Sequence, residues 1–320
     1  MPSPAETTIL LYVLGFILAS LPVAMLLWRR SPGPAYPPPL PPPVAPRMEG
    51  PETPWMPPMA PLIEPPPLPM APRSRFGRAD AWFALGLALM VSVLMGPLSS
   101  VIAGYVAEQS GKPEEALKIE YTASLFMTQI FFQGGIITII LVWLAAIRKF
   151  DVVRFFGFRE RSALMTLGLA VLWLIVAYVL ILIYGGAIAP LLKDLLGMDL
   201  KQQGLVESAP DIQDPFTRVL MVITLCVGAP LMEELIFRGV IYGVAVRYFH
   251  PVYATIASAV LFGAIHNNLL SLIPLSLLGA VLAEAYRHSR SLGVPIVMHS
   301  VFNGISYLLL MYGPPEVRNQ

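Results

Sequence analysis

Residues 163–186 read A-L-M-T-L-G-L-A-V-L-W-L-I-V-A-Y-V-L-I-L-I-Y-G-G, without one Asp, Glu, Lys, Arg or His. A helix needs about 20 apolar residues to cross the hydrocarbon core of a bilayer. This stretch therefore predicts a transmembrane helix, and the sequence on either side repeats the pattern. The other segments of this kind are Thr7–Trp28, Ala81–Val106, Ala123–Ile147, Thr217–Tyr248, Val252–His266, Leu269–Tyr286 and Val294–Tyr312. The predicted fold class is all-α, a polytopic transmembrane bundle of about eight spans. The segment Thr217–Tyr248 is too long for one simple span, since 32 residues reach roughly 48 Å. Pro230 is expected to kink it, or its end continues beyond the membrane.

Composition agrees. Hydrophobic residues make up 56 % of the 320-residue chain and charged residues 13 %, against about 25 % charged in soluble domains. The missing charge means that much of the surface faces lipid. A net charge of +1 gives no bulk electrostatic case for a nucleic-acid partner. Cys226 is the single cysteine, so no intramolecular disulfide forms and the redox compartment is not legible.

The N-terminal region divides from the rest. Residues 1–30 form a predicted membrane anchor. Arg29 and Arg30 follow its apolar run instead of preceding it, the wrong flank for a secretory signal. Residues 31–73 hold 19 of the 33 prolines. Proline lacks the donor that helix and sheet require, so this stretch is expected to be a polyproline or disordered linker. Residues 74–320 then form a seven-helix core. Lys and Arg crowd alternate loops, as in Arg73, Arg75, Arg78, Arg148, Lys149, Arg154, Arg287 and Arg290. The positive-inside rule places those loops in the cytoplasm. Both termini then lie outside and the linker inside, in a multi-pass cell-membrane protein.

Ionisable groups within a bilayer are costly, so each is a functional candidate. They cluster in three places. In A-P-L-M-E-E-L-I-F-R-G, Glu234 and Arg238 are four apart and share a helix face. Glu233 points about 100° away. Glu234 is expected to be structural, and Glu233 to be the desolvated general base. In L-F-G-A-I-H, Phe262 and His266 share a face; taken alone, this is as well a satisfied core histidine. In H-S-V-F-N, His299 and Asn303 share a face of the last span; alone, these could simply bond another helix. Together, a glutamate, two histidines and an asparagine on three spans can converge on one polar pocket. Such a set can activate water. It can also bind a divalent metal such as zinc through His266 and His299. Two histidines and an asparagine make a poor zinc set, so no cofactor is favoured. Counted from the cytoplasmic side, the two histidines differ in depth by over about 10 Å.

E-E-L-I-F-R, F-G-A-I-H and H-S-V-F-N resemble the three motifs of the CPBP family (type II CAAX prenyl endopeptidases, Abi proteins and lysostaphin resistance protein A-like members): E-E-x-x-x-R, F-x-x-x-H and H-x-x-x-N. Gly279, Tyr286, Ser291, Leu292 and Ile296 also fit the pattern leading into the third motif. The detailed likeness covers about 217–305. It implies an intramembrane endopeptidase acting on membrane-anchored protein or peptide substrates, some of them prenylated. Glu233 would then activate water, His266, His299 and Asn303 would complete the catalytic site, and Glu234, Arg238 and Phe262 would support it. Two rivals remain at this level. One is a non-catalytic scaffold or immunity factor using the same pocket. The other is a transporter with a Glu/His proton relay, against which stands the lack of paired broken-helix halves.

Overall fold

A computed structural model describes residues 76–109, 114–191, 212–266 and 269–313, and all its regular elements are helical. The expected anchor Thr7–Trp28 and the linker at 31–73 lie outside the described residues. We number the α-helices in chain order. α1 is Arg78–Val93 and α2 is Ser99–Gln109. α3 is Glu114–Val142, α4 is Val152–Phe155 and α5 is Ala163–Ile183. α6 is Pro215–Val222, α7 is Ala229–Glu234 and α8 is Tyr242–Tyr248. α9 is Pro251–Ala264, α10 is Leu269–Ser289 and α11 is Gly293–Tyr312.

Four described helices are long and apolar enough to cross a membrane: Glu120–Ile147, Ala163–Leu191, Pro215–Tyr248 and Gly293–Tyr312. The expected sixth span differs. α9 has 14 residues, about 21 Å, which is short of a crossing. The segment Ala81–Val106 is helical but becomes π-helical over Leu94–Leu98 around Pro97. That residue has no N–H to return to the preceding turn. The long segment Pro215–Tyr248 is one helical run, widened into π-helix at Ile223–Gly228 and Leu235–Ile241 on either side of Pro230.

The core is built around this run. Ile236, Phe237, Val240 and Tyr242 are buried together with Phe262, Leu278, Leu282 and Met298. α9 and α10 form a close hairpin through small residues. A Cβ on Gly279 would come 3.1 Å from the Ala259 Cα, and one on Gly263 would come 2.6 Å from the Leu272 carbonyl oxygen. Gly134, Gly135, Gly185 and Gly186 have no neighbour within 4 Å of a built Cβ, so close helix packing is not their role.

One end of the bundle is tied by several contacts. The buried Asp80 carboxylate accepts from Trp143 Nε1 at 3.1 Å and lies 3.0 Å from Arg148 Nε, joining the start of α1 to the end of α3. The Leu292 N–H donates to the Phe156 carbonyl, and Arg161 Nε donates to the Ser289 carbonyl. These bonds fix the turn from α10 into α11, and so the start of the helix that carries His299.

Candidate active site

Glu233 and Glu234 end α7, where the helix widens into the second π-segment. Glu234 is fully buried. Its Oε1 accepts from Arg238 Nη1 at 2.8 Å and lies 2.9 Å from His299 Nδ1. A carboxylate oxygen only accepts, so the Nδ1 of His299 carries its proton toward Glu234. Arg238 is equally buried. It donates through Nη2 to the Gly279 carbonyl at 2.8 Å, which ties α10 to the motif. Its guanidinium lies 4.8 Å from the centroid of Phe262 and 5.9 Å from that of Phe237. Taking a charge out of water is costly unless it is paired and its donors are used; here Glu234, Gly279 and the Phe262 face serve the guanidinium, while Arg238 Nε and Glu234 Oε2 have no hydrogen-bond partner among the described residues.

Glu233 has a different environment. Its side chain is 12 % exposed, and its Oε2 lies 3.8 Å from His299 Nε2. Among the described residues, the cation paired with this motif, Arg238, bonds Glu234. The single-residue step along the helix thus buries one carboxylate in the cluster and leaves the other partly exposed.

Phe262 joins the two histidines. Its fully buried ring makes edge contacts with His266 at 5.3 Å and with His299 at 5.6 Å between centroids. His266 Nδ1 donates to the Phe262 carbonyl at 2.8 Å. Both imidazoles are therefore anchored through Nδ1 and present Nε2 on the other side. The depth difference counted from the sequence does not separate them. α9 is too short to carry His266 to the far face, and Phe262, one turn earlier, spans the remaining gap.

Asn303, one turn beyond His299, donates through Nδ2 to the Leu225 carbonyl at 2.8 Å. Glu233, Glu234, Arg238, Phe262, His266 and His299 are joined by one chain of contacts: Glu233 to His299, His299 to Glu234 and Phe262, Glu234 to Arg238, and Phe262 to His266; Asn303 is one turn beyond His299 and bonds the neighbouring π-segment instead. Gln133 is 2 % exposed and bonds the Thr224 carbonyl from α3 at 3.3 Å. Sequence reading passed over Asp80, though a lone acid at the start of an apolar run is a signal. Glu284 accepts from Thr255 and pairs with Arg287.

A zinc ion fits this donor set poorly. His299 Nδ1 is taken by Glu234, and Asn303 is engaged by a backbone carbonyl. Among the described residues, no three His, Cys, Asp or Glu side chains are grouped to hold a metal ion.

Comparison with known proteins points the same way. No solved structure matches the chain. Among curated proteins, the chain is 28 % identical over 155 residues to the Bacillus subtilis protein named "Putative membrane peptidase YdiL", covering 48 % of this chain and 61 % of that one. It is 24 % identical over 156 residues to the membrane-embedded CAAX protease MroQ of Staphylococcus aureus, covering 46 % of this chain and 60 % of that one. The chain thus spans about three fifths of the length of these relatives. The region that carries the whole glutamate, histidine and asparagine cluster, residues 215–305, matches the family of type II CAAX prenyl endopeptidase Rce1-like proteins.

Proposed function

We propose that the chain is an intramembrane endopeptidase that cleaves membrane-anchored protein substrates of the CAAX type, using water activated by Glu233. The observation that carries this reading is the inequality of the two glutamates. Glu234 bonds Arg238 and His299, whereas Glu233 is partly exposed and lies 3.8 Å from the Nε2 of His299. That gap suits a group that takes up and returns a proton.

In this mechanism Glu233 accepts a proton from water as the oxygen attacks the scissile carbonyl. The proton then passes to the leaving amine, so that water and one peptide bond give an acid and an amine. The oxyanion receives an N–H of Asn303 and the Nε2–H of His299 as the imidazolium, the form in which Nε2 donates while Nδ1 keeps its proton toward Glu234. Glu234 beneath His299 orients the ring and balances its charge. Arg238 and Phe262 hold that carboxylate and the two rings in place.

The chain is read as an anchor at 1–30, a proline-rich linker at 31–73 in the cytoplasm and a peptidase core at 74–320. The four long apolar helices support the membrane location, and the basic end of the bundle supports the orientation.

The test uses the full chain in nanodiscs with two fluorogenic peptides ending in Cys-aliphatic-aliphatic-Xaa, one farnesylated and one not. Wild type is expected to cleave the farnesylated peptide, and Glu233→Gln to be inactive with an unchanged melting temperature. Full cleavage by Glu233→Gln overturns the assignment. Cleavage of both peptides alike removes the prenyl requirement and leaves the chemistry standing.

A further inference from the structure

The backbone beneath Asn303 has a gap in its hydrogen bonding. Over Ile223–Gly228 the helix is π-wound, so each N–H reaches back five residues. The last of these donors, Ala229 N–H, goes to the Thr224 carbonyl. The next donor in register should serve the Leu225 carbonyl, but that position is Pro230, which has no N–H. Ala229, the other residue within reach, is already committed to Thr224. A carbonyl inside the bilayer without a partner is costly. Asn303 Nδ2 fills the place at 2.8 Å from α11.

The bond also fixes the side chain. A carbonyl cannot donate, so the NH₂ end of the carboxamide must face Leu225. With one N–H held there, the amide plane is set, and the second N–H is the donor left for chemistry. Asn303 lies one helical turn from His299, whose Nε2 faces Glu233.

We propose that Pro230 is a positioning residue for Asn303, acting by withholding an N–H from the Leu225 carbonyl. The inference rests on the reading of Asn303 as an oxyanion donor. Replacing Pro230 with a residue that has an N–H lets the backbone serve Leu225 itself. Asn303 then loses its anchor, while the helix gains a bond.

The experiment is a double-mutant cycle of Pro230→Ala and Asn303→Ala in the full chain, read by kcat and KM on the farnesylated peptide and by melting temperature. Pro230→Ala is expected to lower kcat by about tenfold or more with KM changed by less than about twofold, the pattern of a lost transition-state contact. The double variant should be no slower than Asn303→Ala alone, because residues acting through one another are not additive. Asn303→Ala should lower the melting temperature in the wild-type background and leave it unchanged when Pro230 is already Ala. Pro230→Ser restores the same N–H, and repeats the cycle if the alanine variant is not recovered folded. Wild-type kcat in the Pro230 variant, or losses that multiply in the double variant, overturns the proposal. Full activity of Asn303→Ala sinks the reading of Asn303 in the reaction instead. In that case the melting temperatures alone decide: equal costs of Asn303→Ala in both backgrounds refute the positioning.

Discussion

Glu233 and Glu234 are the same chemical group one peptide bond apart, and the helix makes them different. A rotation of about 100° buries one in the ion-pair cluster and leaves the other partly exposed. The cluster shares Glu234 between Arg238 and His299, so its loss leaves a buried guanidinium without its counter-charge. We expect Glu234→Gln to destabilise the protein by about 3–5 kcal/mol, the usual result of breaking a buried pair from one side. Melting temperature and yield in detergent measure this. A stable, inactive Glu234→Gln beside an active Glu233→Gln would reverse the two roles. The split between the glutamates was legible in the sequence, because Arg238 sits four residues from one of them alone. The Glu234 contact to His299 was not legible. It joins positions 65 apart, and no spacing rule reaches across three helices. The engagement of Asn303 by Leu225 was hidden for a related reason: it depends on a π-turn, and hydropathy does not report helical winding.

Elements are where the apolar pattern and the structure part company. Length alone identified the long run Pro215–Tyr248 and the last helix, since both are continuous in apolar residues. The α9–α10 hairpin was read as two spans because its small residues, Gly263, Ser276 and Gly279, look like ordinary apolar filler in a hydropathy profile. In the fold they bring two backbones together. A Cβ at Gly263 would lie 2.5 Å from Ser276 Oγ and 2.6 Å from the Leu272 carbonyl oxygen, and a carbonyl in a helix cannot step aside as a flexible side chain can. Gly263→Ala should therefore cost about 1–3 kcal/mol. It should also lower activity, because Gly263 lies between Phe262 and His266; thermal unfolding and peptide turnover check the two effects. At the other end of the bundle, α6 is capped by Asp214, which accepts from the Thr217 N–H and hydroxyl, each at 2.7 Å. The hydroxyl and then the backbone bond hold this carboxylate below its ordinary value of 3.8. A lowered folded-state value means that the contribution is complete above the ordinary range and is lost as pH falls through the folded value. Asp214→Ala should lower the melting temperature at neutral pH, and its difference from wild type should shrink as the buffer is taken below about pH 3.8. A difference that persists unchanged in acid would mean that packing, not the cap, carries the effect.

Among the described residues, most exposed Lys and Arg side chains gather at one end of the bundle. The starts of α1, α5 and α11 and the ends of α3, α8 and α10 share one rim, tied by the Asp80–Arg148 pair, the Leu292–Phe156 bond and the Arg161–Ser289 bond. Lys149, Arg154, Arg159, Arg247 and Arg290 are exposed on that rim, and among the described residues none of their side chains is in an ion pair. The opposite end carries Glu108, Glu120 and Asp214. Short loops rich in Lys and Arg stay on the cytoplasmic side during insertion. A rim with unpaired cations has no internal partner to offset that bias. The basic rim should therefore face the cytoplasm. Single-cysteine labelling in a Cys226→Ala background tests this. Arg159→Cys should react with a membrane-impermeant maleimide only in inside-out vesicles, and Gln213→Cys, at the exposed entry to α6, only in intact cells. Reaction of both from the same side would mean that the chain between them, which includes Ala163–Leu191, makes no net crossing of the membrane. Reaction of Arg159→Cys in intact cells alone would invert the orientation, and would require another force than the charge bias to have set it.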